Sequence, residues 1–366
     1  MRRIDPPPAR SALQRGSPSV STPGWQLHHD VALQSMNTFG VAATAPRLLR
    51  VHDSQALPAA LAHPEVAGQP LITLGGGSNL LLVSDPQATL LVIDDTSVAI
   101  IEHRADHAIV RAGAGMGWHP LVMWTLDHGL SGLENLALIP GTAGAAPIQN
   151  IGAYGAQAGD FIHAVEAWDR HSGQFQRLLP EDCAFGYRES VFKQQPDRWI
   201  ITAIELRLPL LSELRTGYAG IEEQMRADGV TLPSARDVAN AVIAIRQRKL
   251  PDPARLGNAG SFFKNPIVSA EQAQALLQQW PQMPVFPAGQ PEKRKLSAGW
   301  LIEQAGWKGY RQGDAGVSPD HALVLVNHGQ ATGAQLLALA REIAASVQQR
   351  FGVAIEPEPR LIGAQW

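Results

Sequence analysis

The chain has 366 residues, 45% apolar and 17% charged, and its 30 basic and 33 acidic residues leave a net charge of −3. So little charge, against about 25% in an ordinary soluble domain and with no basic excess, excludes a dedicated nucleic-acid binder. The single cysteine, Cys183, excludes an intrachain disulfide framework and any multi-cysteine metal site, and suits a reducing compartment.

The opening MRRIDPPPARSALQRGSPSV has two arginines, but three prolines follow and no apolar stretch of signal-peptide length. Residues 1–22 therefore read as a disordered tail. No later apolar run approaches the roughly 18 residues of a membrane span, so a cytoplasmic protein without a membrane partner is expected. Strand-length runs lie at LITL (71–74), TLLVI (89–93), AIVRA (108–112), WIITAIELRL (199–208) and ALVLV (322–326). In the longest, Ile200, Thr202, Ile204, Leu206 and Leu208 alternate, which predicts a half-buried strand. His119-Pro120 opens a helix that Gly129 closes. Ser234 with Asp237 opens the next, which carries Val238, Val242 and Ile245 and stops before Pro251-Asp252-Pro253. Ser269 with Gln272 starts another, and Gly306 ends the one holding Trp300 and Leu301. The last has a capping box, Thr332 with Gln335, an apolar stripe through Leu336, Leu339, Ile343, Val347 and Phe351, and Gly352 as its stop. Strands and helices mix without a strict βαβ rhythm, which predicts an α+β fold.

Glycine is concentrated: 13 of the 34 glycines fall between Gly75 and Gly159, and Glu134 is the only charge between Gly129 and Gly159. Linkers are polar, so this stretch reads as backbone held close to something large and flat. Gly75-Gly76-Gly77-Ser78-Asn79 follows a strand and can aim backbone N–H groups at an anion; an ordinary turn is the plainer alternative. Gly113, Gly115 and Gly117 miss the dinucleotide fingerprint because Trp118 stands at its sixth position, and no Walker A lysine follows a glycine loop. In GLENLALIPGTAGAAPIQNIGAYG (132–155), small residues with Gln149, Asn150 and Tyr154 suit a flavin slot or a packed Gly/Ala core. Arg188, among Phe185, Gly186 and Tyr187, suits an anion clamp or a surface stack on Tyr187. Ser261 lacks a nucleophile elbow and suits a hydroxyl donor or a turn. In EPEPR, alternating prolines predict an extended segment with Glu356, Glu358 and Arg360 on one face, or a solvated end. The twelve histidines form no metal motif, and no metal is expected.

Together LGGGSNLLL, the 132–155 segment, FGYRESVFK, KLPDP, GNAGSFFKNP, AGWLIEQAGWKG and EPEPRLIG resemble, in order and spacing, the UDP-N-acetylenolpyruvoylglucosamine reductase family, longer type. The resemblance runs from Asn37 to Gly363. It implies an α+β fold of the vanillyl-alcohol-oxidase (PCMH) type. Residues 23–96, joined by 353–366, would form the first FAD-binding subdomain, 97–250 the second, and 251–352 the substrate-binding domain. It implies FAD on Gly75, Gly76, Gly77, Ser78, Asn79 and Leu80, with Gly113. The second segment would add Pro140, Gly141, Thr142, Gly144, Ala145 and Ile148, then Asn150, Ile151, Gly152, Tyr154 and Gly155, and the long strand Ile200. Arg188, Ser261 and Glu358 match the family's catalytic residues. Tyr218, Lys249, Asn265, Lys308 and His321 fall where substrate is held.

The implied reaction is reduction of an enolpyruvyl UDP-sugar to UDP-N-acetylmuramate for peptidoglycan precursor synthesis. NADPH would reduce FAD and leave, flavin N5 would give hydride to C3, and Ser261 would give a proton to C2. Arg188 would stabilise the negative charge on C2 and the carboxylate. Glu358 would act protonated or by orienting Arg188, and Lys249 or Lys264 would support Ser261. The expected partner is a small-molecule sugar nucleotide, and the expected state a monomer or weak homo-oligomer. A flavin oxidase of hydroxy acids would share the glycine segments without needing GNAGSFFKNP and EPEPR together. A non-enzymatic nucleotide-sugar binder would not need Arg188, Ser261 and Glu358. Nothing in the chemistry needs a thiol, so Cys183 is expected to be structural.

Overall fold

Two five-stranded sheets organise the N-terminal half of the chain, in a computed structural model that describes residues 20–218 and 220–366. In the first sheet Val20–Thr22, Trp25–Ala32 and Thr44–Val51 run antiparallel, and Thr89–Ile93 then pairs parallel with both Thr44–Val51 and Leu71–Thr73. Of the segment read as a tail, residues 1–19 lie outside the described residues. Val20–Thr22, also read as disordered, is instead a strand, because Gly24 at φ 89° lets the chain double back onto Trp25–Ala32.

The second sheet is antiparallel throughout, ordered Gln174–Leu178, Ile162–Asp169, Trp199–Pro209, His107–Gly113, Val98–His103. Its long central strand departs from the simple alternation. Ala203 pairs with Glu166 but Ile201 with Ala167, so Thr202 is an extra, bulged residue. Side-chain parity reverses there. Ile201 therefore joins Ile204, Leu206 and Leu208 in one core, while Ile200 packs with Leu49, Ile93 and Ala114 in another. The strand is buried on both faces, not one, since each face has a core to cover it.

The five helices with a start or stop signal in the sequence form where those signals stand, and Leu57–Leu61 and Ile221–Ala227 are helices that carried none. Gly117 precedes Trp118–Asp127, and Gly129 follows it at φ 72°. Ser234 caps Ala235–Lys249 in a full capping box, Ser269 caps Ala270–Gln279, and Ser297 caps Ala298–Gln304. Thr332 and Gln335 form the capping box of Gly333–Phe351, which Gly352 ends at φ 66°. The fold is α+β. The third region carries the sheet Gly257–Ser261, Val324–Asn327, Ala315–Val317, Arg311–Gln312 and the small sheet Ile267–Ser269, Lys293–Leu296, Val285–Pro287. One apolar core runs from Phe39, Leu48 and Leu90 through Phe262, Leu301, Leu336 and Ile343, so the third region packs directly on the first sheet. The chain then returns: Arg360–Ile362 pairs parallel with Leu80–Leu82, just after the glycine loop. Cys183 is buried, and burial beside Asp182 and Glu181 pushes its thiol up to about 12, which suits packing rather than reactivity. Among the described residues, no helix is long and apolar enough to cross a membrane.

Candidate active site

Arg188 sits in a tight turn in which Gly186 and Glu189 form an antiparallel bridge, and its own backbone stands at φ 56°. From there its Nε donates to Glu358 Oε1 at 2.8 Å and its Nη2 to the Gly152 carbonyl at 2.8 Å. The two charged side chains are only 21% and 13% exposed, so their attraction is weakly screened. Arg188 Cζ lies 5.5 Å from the Tyr187 ring centroid, and Lys295 Nζ lies 4.7 Å from the same ring. Burial raises the Tyr187 pKa, and burial followed by the Arg188 charge lowers that of Lys295.

Glu358 is brought there by stitching on both sides. Its backbone N–H donates to the Phe262 carbonyl at 2.7 Å, one residue beyond Ser261. The Lys264 N–H donates to the Glu356 carbonyl at 3.0 Å, and that of Arg360 to the Asn79 carbonyl at 3.0 Å. The C-terminal segment thus joins the Ser261 strand to the glycine loop. The expected common face for Glu356, Glu358 and Arg360 is not formed. Pro357 bridges Phe263, Arg360 pairs with Leu80, and the chain bends at Glu358 and Pro359 to change partners. Glu356 turns to Lys264 Nζ at 3.6 Å instead. Lys264 is therefore an ion-pair partner of Glu356, while Ser261 ends its strand half-buried opposite Val324.

The glycine loop lies against the second glycine segment. A side chain on Gly76 would stand 2.9 Å from Gly141 Cα, and one on Gly75 2.9 Å from Thr142 Oγ1. One on Gly77, at φ 64°, would meet the Met36 carbonyl at 1.9 Å. Small residues are needed here for chain to meet chain. The backbone N–H groups of Gly75, Gly76, Gly77, Ser78 and Asn79 nevertheless donate to no acceptor among the described residues. The Asn79 amide bonds Gln149 Oε1, and Leu80 opens the strand that pairs with Arg360.

Around this loop Pro140, Gly155 and Ile148 are exposed, and Gly141, Thr142, Ala145, Ile151 and Tyr154 half-exposed, giving an uncharged surface. Part of 132–155 is not surface: Leu133 to Ala137 are buried. Several expected cofactor contacts are committed elsewhere. Gly144 is buried where a side chain would meet Ala114 Cβ at 2.5 Å, Gly113 is pressed on Asp95, and Ile200 lies in an apolar core. Asn150 is fully buried; its amide holds Gln157 and the Gly186 carbonyl and accepts from the Gly159 N–H. Gly152 holds Arg188.

Of the expected substrate residues, Tyr218 is 54% exposed and meets the Tyr154 ring edge-on at 5.4 Å. Asn265 accepts from the Ala298 N–H at 3.0 Å. Lys249 ends the helix Ala235–Lys249, exposed, and Lys308 pairs with Glu303 at 3.0 Å. Burial, and then the Lys249 and Lys308 charges, lower the His321 pKa, so the three form one neighbourhood that disfavours a further proton.

Sequence reasoning passed over Lys193, Lys295 and Arg246. The Arg246 guanidinium lies near Tyr154, its Nε buried without a partner, and burial lowers its pKa. Its only sequence signal is a place three residues before KLPDP. A half-buried arginine with an unpartnered Nε, five uncommitted N–H groups and an uncharged surface suit a ligand with an anionic diphosphate and a flat ring, as FAD has.

A model described as an FAD binding domain matches residues 45–179, and one described as UDP-N-acetylenolpyruvoylglucosamine reductase, C-terminal domain, matches 252–362. The UDP-N-acetylenolpyruvoylglucosamine reductase of Xanthomonas euvesicatoria is 65% identical over 343 residues, covering 94% of this chain and 98% of the relative. That of Xylella fastidiosa is 60% identical over 347 residues, covering 95% and 99%. The crystal structure of UDP-N-acetylenolpyruvylglucosamine reductase from Thermus caldophilus matches with a TM-score of 0.63 at 27% identity, covering 91% of this chain and 98% of that one. The α+β fold is of the FAD-binding type that the sequence pieces implied. With this identity sustained over almost its whole length, the chain belongs to the UDP-N-acetylenolpyruvoylglucosamine reductase family.

Proposed function

We propose that this chain is an FAD-dependent reductase that converts an enolpyruvyl UDP-N-acetylglucosamine to UDP-N-acetylmuramate for peptidoglycan synthesis, with NADPH as reductant. The observation that carries the reading is the Arg188–Glu358 pair, held between the glycine loop and the Ser261 strand. Bound FAD, once reduced, supplies the hydride accepted by C3 of the enolpyruvyl group. The glycine loop takes its diphosphate, and Pro140, Gly141, Ile148 and Tyr154 line its ring, with Arg246 beside Tyr154. Residues 23–96 with 353–366 and residues 97–250 form the FAD-binding parts, and 251–352 the substrate part.

What remains is charge and a proton, and both fall to the chain. Negative charge grows on C2 and the carboxylate of the substrate. Arg188 stabilises it, because a guanidinium stays protonated at any working pH and Glu358 already fixes its plane. Ser261 then gives the proton from Oγ to C2 as general acid. Lys249, Lys308, Asn265, His321 and Tyr218 hold the sugar nucleotide, the two lysines meeting its diphosphate. The test is a spectrum of the purified protein. Flavin absorbance bleached by NADPH and restored by the enolpyruvyl sugar nucleotide supports the reading. A protein that cannot be loaded with FAD, or whose reduced flavin the sugar nucleotide does not reoxidise, overturns it.

A further inference from the structure

We propose that Lys193 is a positioning residue that holds Arg188 in the pose from which it acts. The proposal rests on the reading of Arg188 given above. Arg188 stands at φ 56°, a region that residues with a side chain enter at a steric cost. Something must hold it there. In this conformation its carbonyl accepts a hydrogen bond from Lys193 Nζ at 2.6 Å. Lys193 lies in the short helix Val191–Gln194, which is itself anchored. The Ser190 hydroxyl accepts from the Lys193 N–H at 3.3 Å and donates to the Ile148 carbonyl. At the other end of the turn the Asn150 amide holds the Gly186 carbonyl at 3.1 Å. The turn is fastened at both ends, and Lys193 is the charged fastener, five residues along the chain from the residue it holds.

The surroundings make this placement hard to explain by packing. Lys193 is half-buried, with the cations Lys264 and Arg188 and the carboxylates Glu189 and Glu358 as its charged neighbours. Burial first, and the Lys264 charge next, hold its pKa below the ordinary lysine value. Glu189 and Glu358 offset part of the cost of the two cations, and the hydrogen bond that the Lys193 ammonium makes goes to the Arg188 carbonyl. Without that donor the carbonyl loses its partner and the backbone is free to leave the left-handed region. The guanidinium then withdraws from Glu358 and Gly152. A displacement near 1 Å at a positioned group costs about 10²-fold in rate.

The test compares Lys193→Met, Lys193→Arg, Arg188→Ala and the Lys193→Met/Arg188→Ala double variant as FAD-loaded enzymes. Lys193→Met is expected to reduce at the wild-type rate with NADPH. Its reoxidation by the enolpyruvyl sugar nucleotide is expected to slow by about 10- to 10²-fold, in kcat more than in KM. Lys193→Arg, still a charged donor, recovers most of that loss. The double variant is no slower than Arg188→Ala, because Lys193 acts through Arg188. Wild-type reoxidation by Lys193→Met, equal loss in both half-reactions, or losses that multiply in the double variant would overturn the proposal. Normal reoxidation by Arg188→Ala sinks the reading of Arg188 and this proposal together. An impaired Arg188→Ala beside an unimpaired Lys193→Met sinks this proposal alone. If Lys193→Met does not accumulate as folded holoprotein, Lys193→Gln enters the same cycle.

Discussion

Arg188 Nε and Glu358 Oε1 meet at 2.8 Å across a sequence separation of 170 residues, with both side chains largely shielded from water. The pair ties the turn between Gln174–Leu178 and Trp199–Pro209 of the second sheet to the C-terminal segment, and that segment is tied in turn to Asn79 and Phe262. The glycine loop and the Ser261 strand are thereby brought to one ion pair. Glu358 fixes the plane of a planar fork, which is a geometric service as well as an electrostatic one.

Glu358→Gln keeps an oxygen for Arg188 and removes the charge. Reduction by NADPH should persist, while reoxidation by the enolpyruvyl substrate falls about 10²-fold or more. Stability should drop by no more than about 3 kcal/mol, the range for a charge-assisted hydrogen bond. Stopped-flow traces of the two half-reactions separate these effects; a variant slowed equally in both would show the pair to be structural.

Ser261→Ala removes a half-buried hydroxyl at a strand end and leaves the backbone pairing untouched. The fold and the NADPH step should survive. The second half-reaction should lose about 10²- to 10⁴-fold, the usual reach of a positioned general acid. Wild-type rates in both halves would remove Ser261 from the mechanism.

Gly77→Ala tests the loop itself. The added methyl would stand 1.9 Å from the Met36 carbonyl, at a φ of 64°. The strain of that backbone region alone is about 1–3 kcal/mol, and the clash adds to it. Flavin content per chain, read from the visible absorbance, should fall together with the melting temperature. Gly40 is the control: it also has positive φ, at 65°, but nothing within 4 Å of its added methyl. Gly40→Ala should melt lower yet keep its flavin.

Local signals were legible in the sequence and long-range ones were not. Ser234, Ser269 and Thr332 cap their helices as their spacing predicts, because capping is decided within four residues. The bulge at Thr202 was invisible, since a register slip belongs to the partner strand at Glu166 and Ala167 as much as to its own. The concentration of glycine pointed to close approach, and the structure shows what approaches: Gly76 meets Gly141. That Arg188 and Glu358 belong together came from resemblance to a family, since no periodicity links residues so far apart. Arg246 carries no local signal because an arginine on a helix usually reaches water, and only the packing around it leaves its Nε buried without a partner.

Asp169 gives a pH prediction away from the chemistry. Its side chain is 1% exposed and accepts from Arg198 Nε at 3.1 Å, Arg198 Nη2 at 2.9 Å and the His171 N–H at 3.0 Å. The Arg198 guanidinium first, and the backbone donor after it, hold the carboxyl well below its ordinary value of 3.8, against the opposing effect of burial. The unfolded chain therefore takes up this proton at a higher pH than the folded one. The resulting stability is fully present above about pH 4–5 and is lost as pH falls toward the folded value. Asp169→Asn has no such proton to gain. It should be less stable than the wild type by about 2–3 kcal/mol at pH 7, and the gap should narrow steadily below pH 4. Urea unfolding of both proteins at pH 7 and pH 3 measures it. A gap of the same size at both pH values would mean that the carboxylate's charge contributes nothing and that the loss is one of packing.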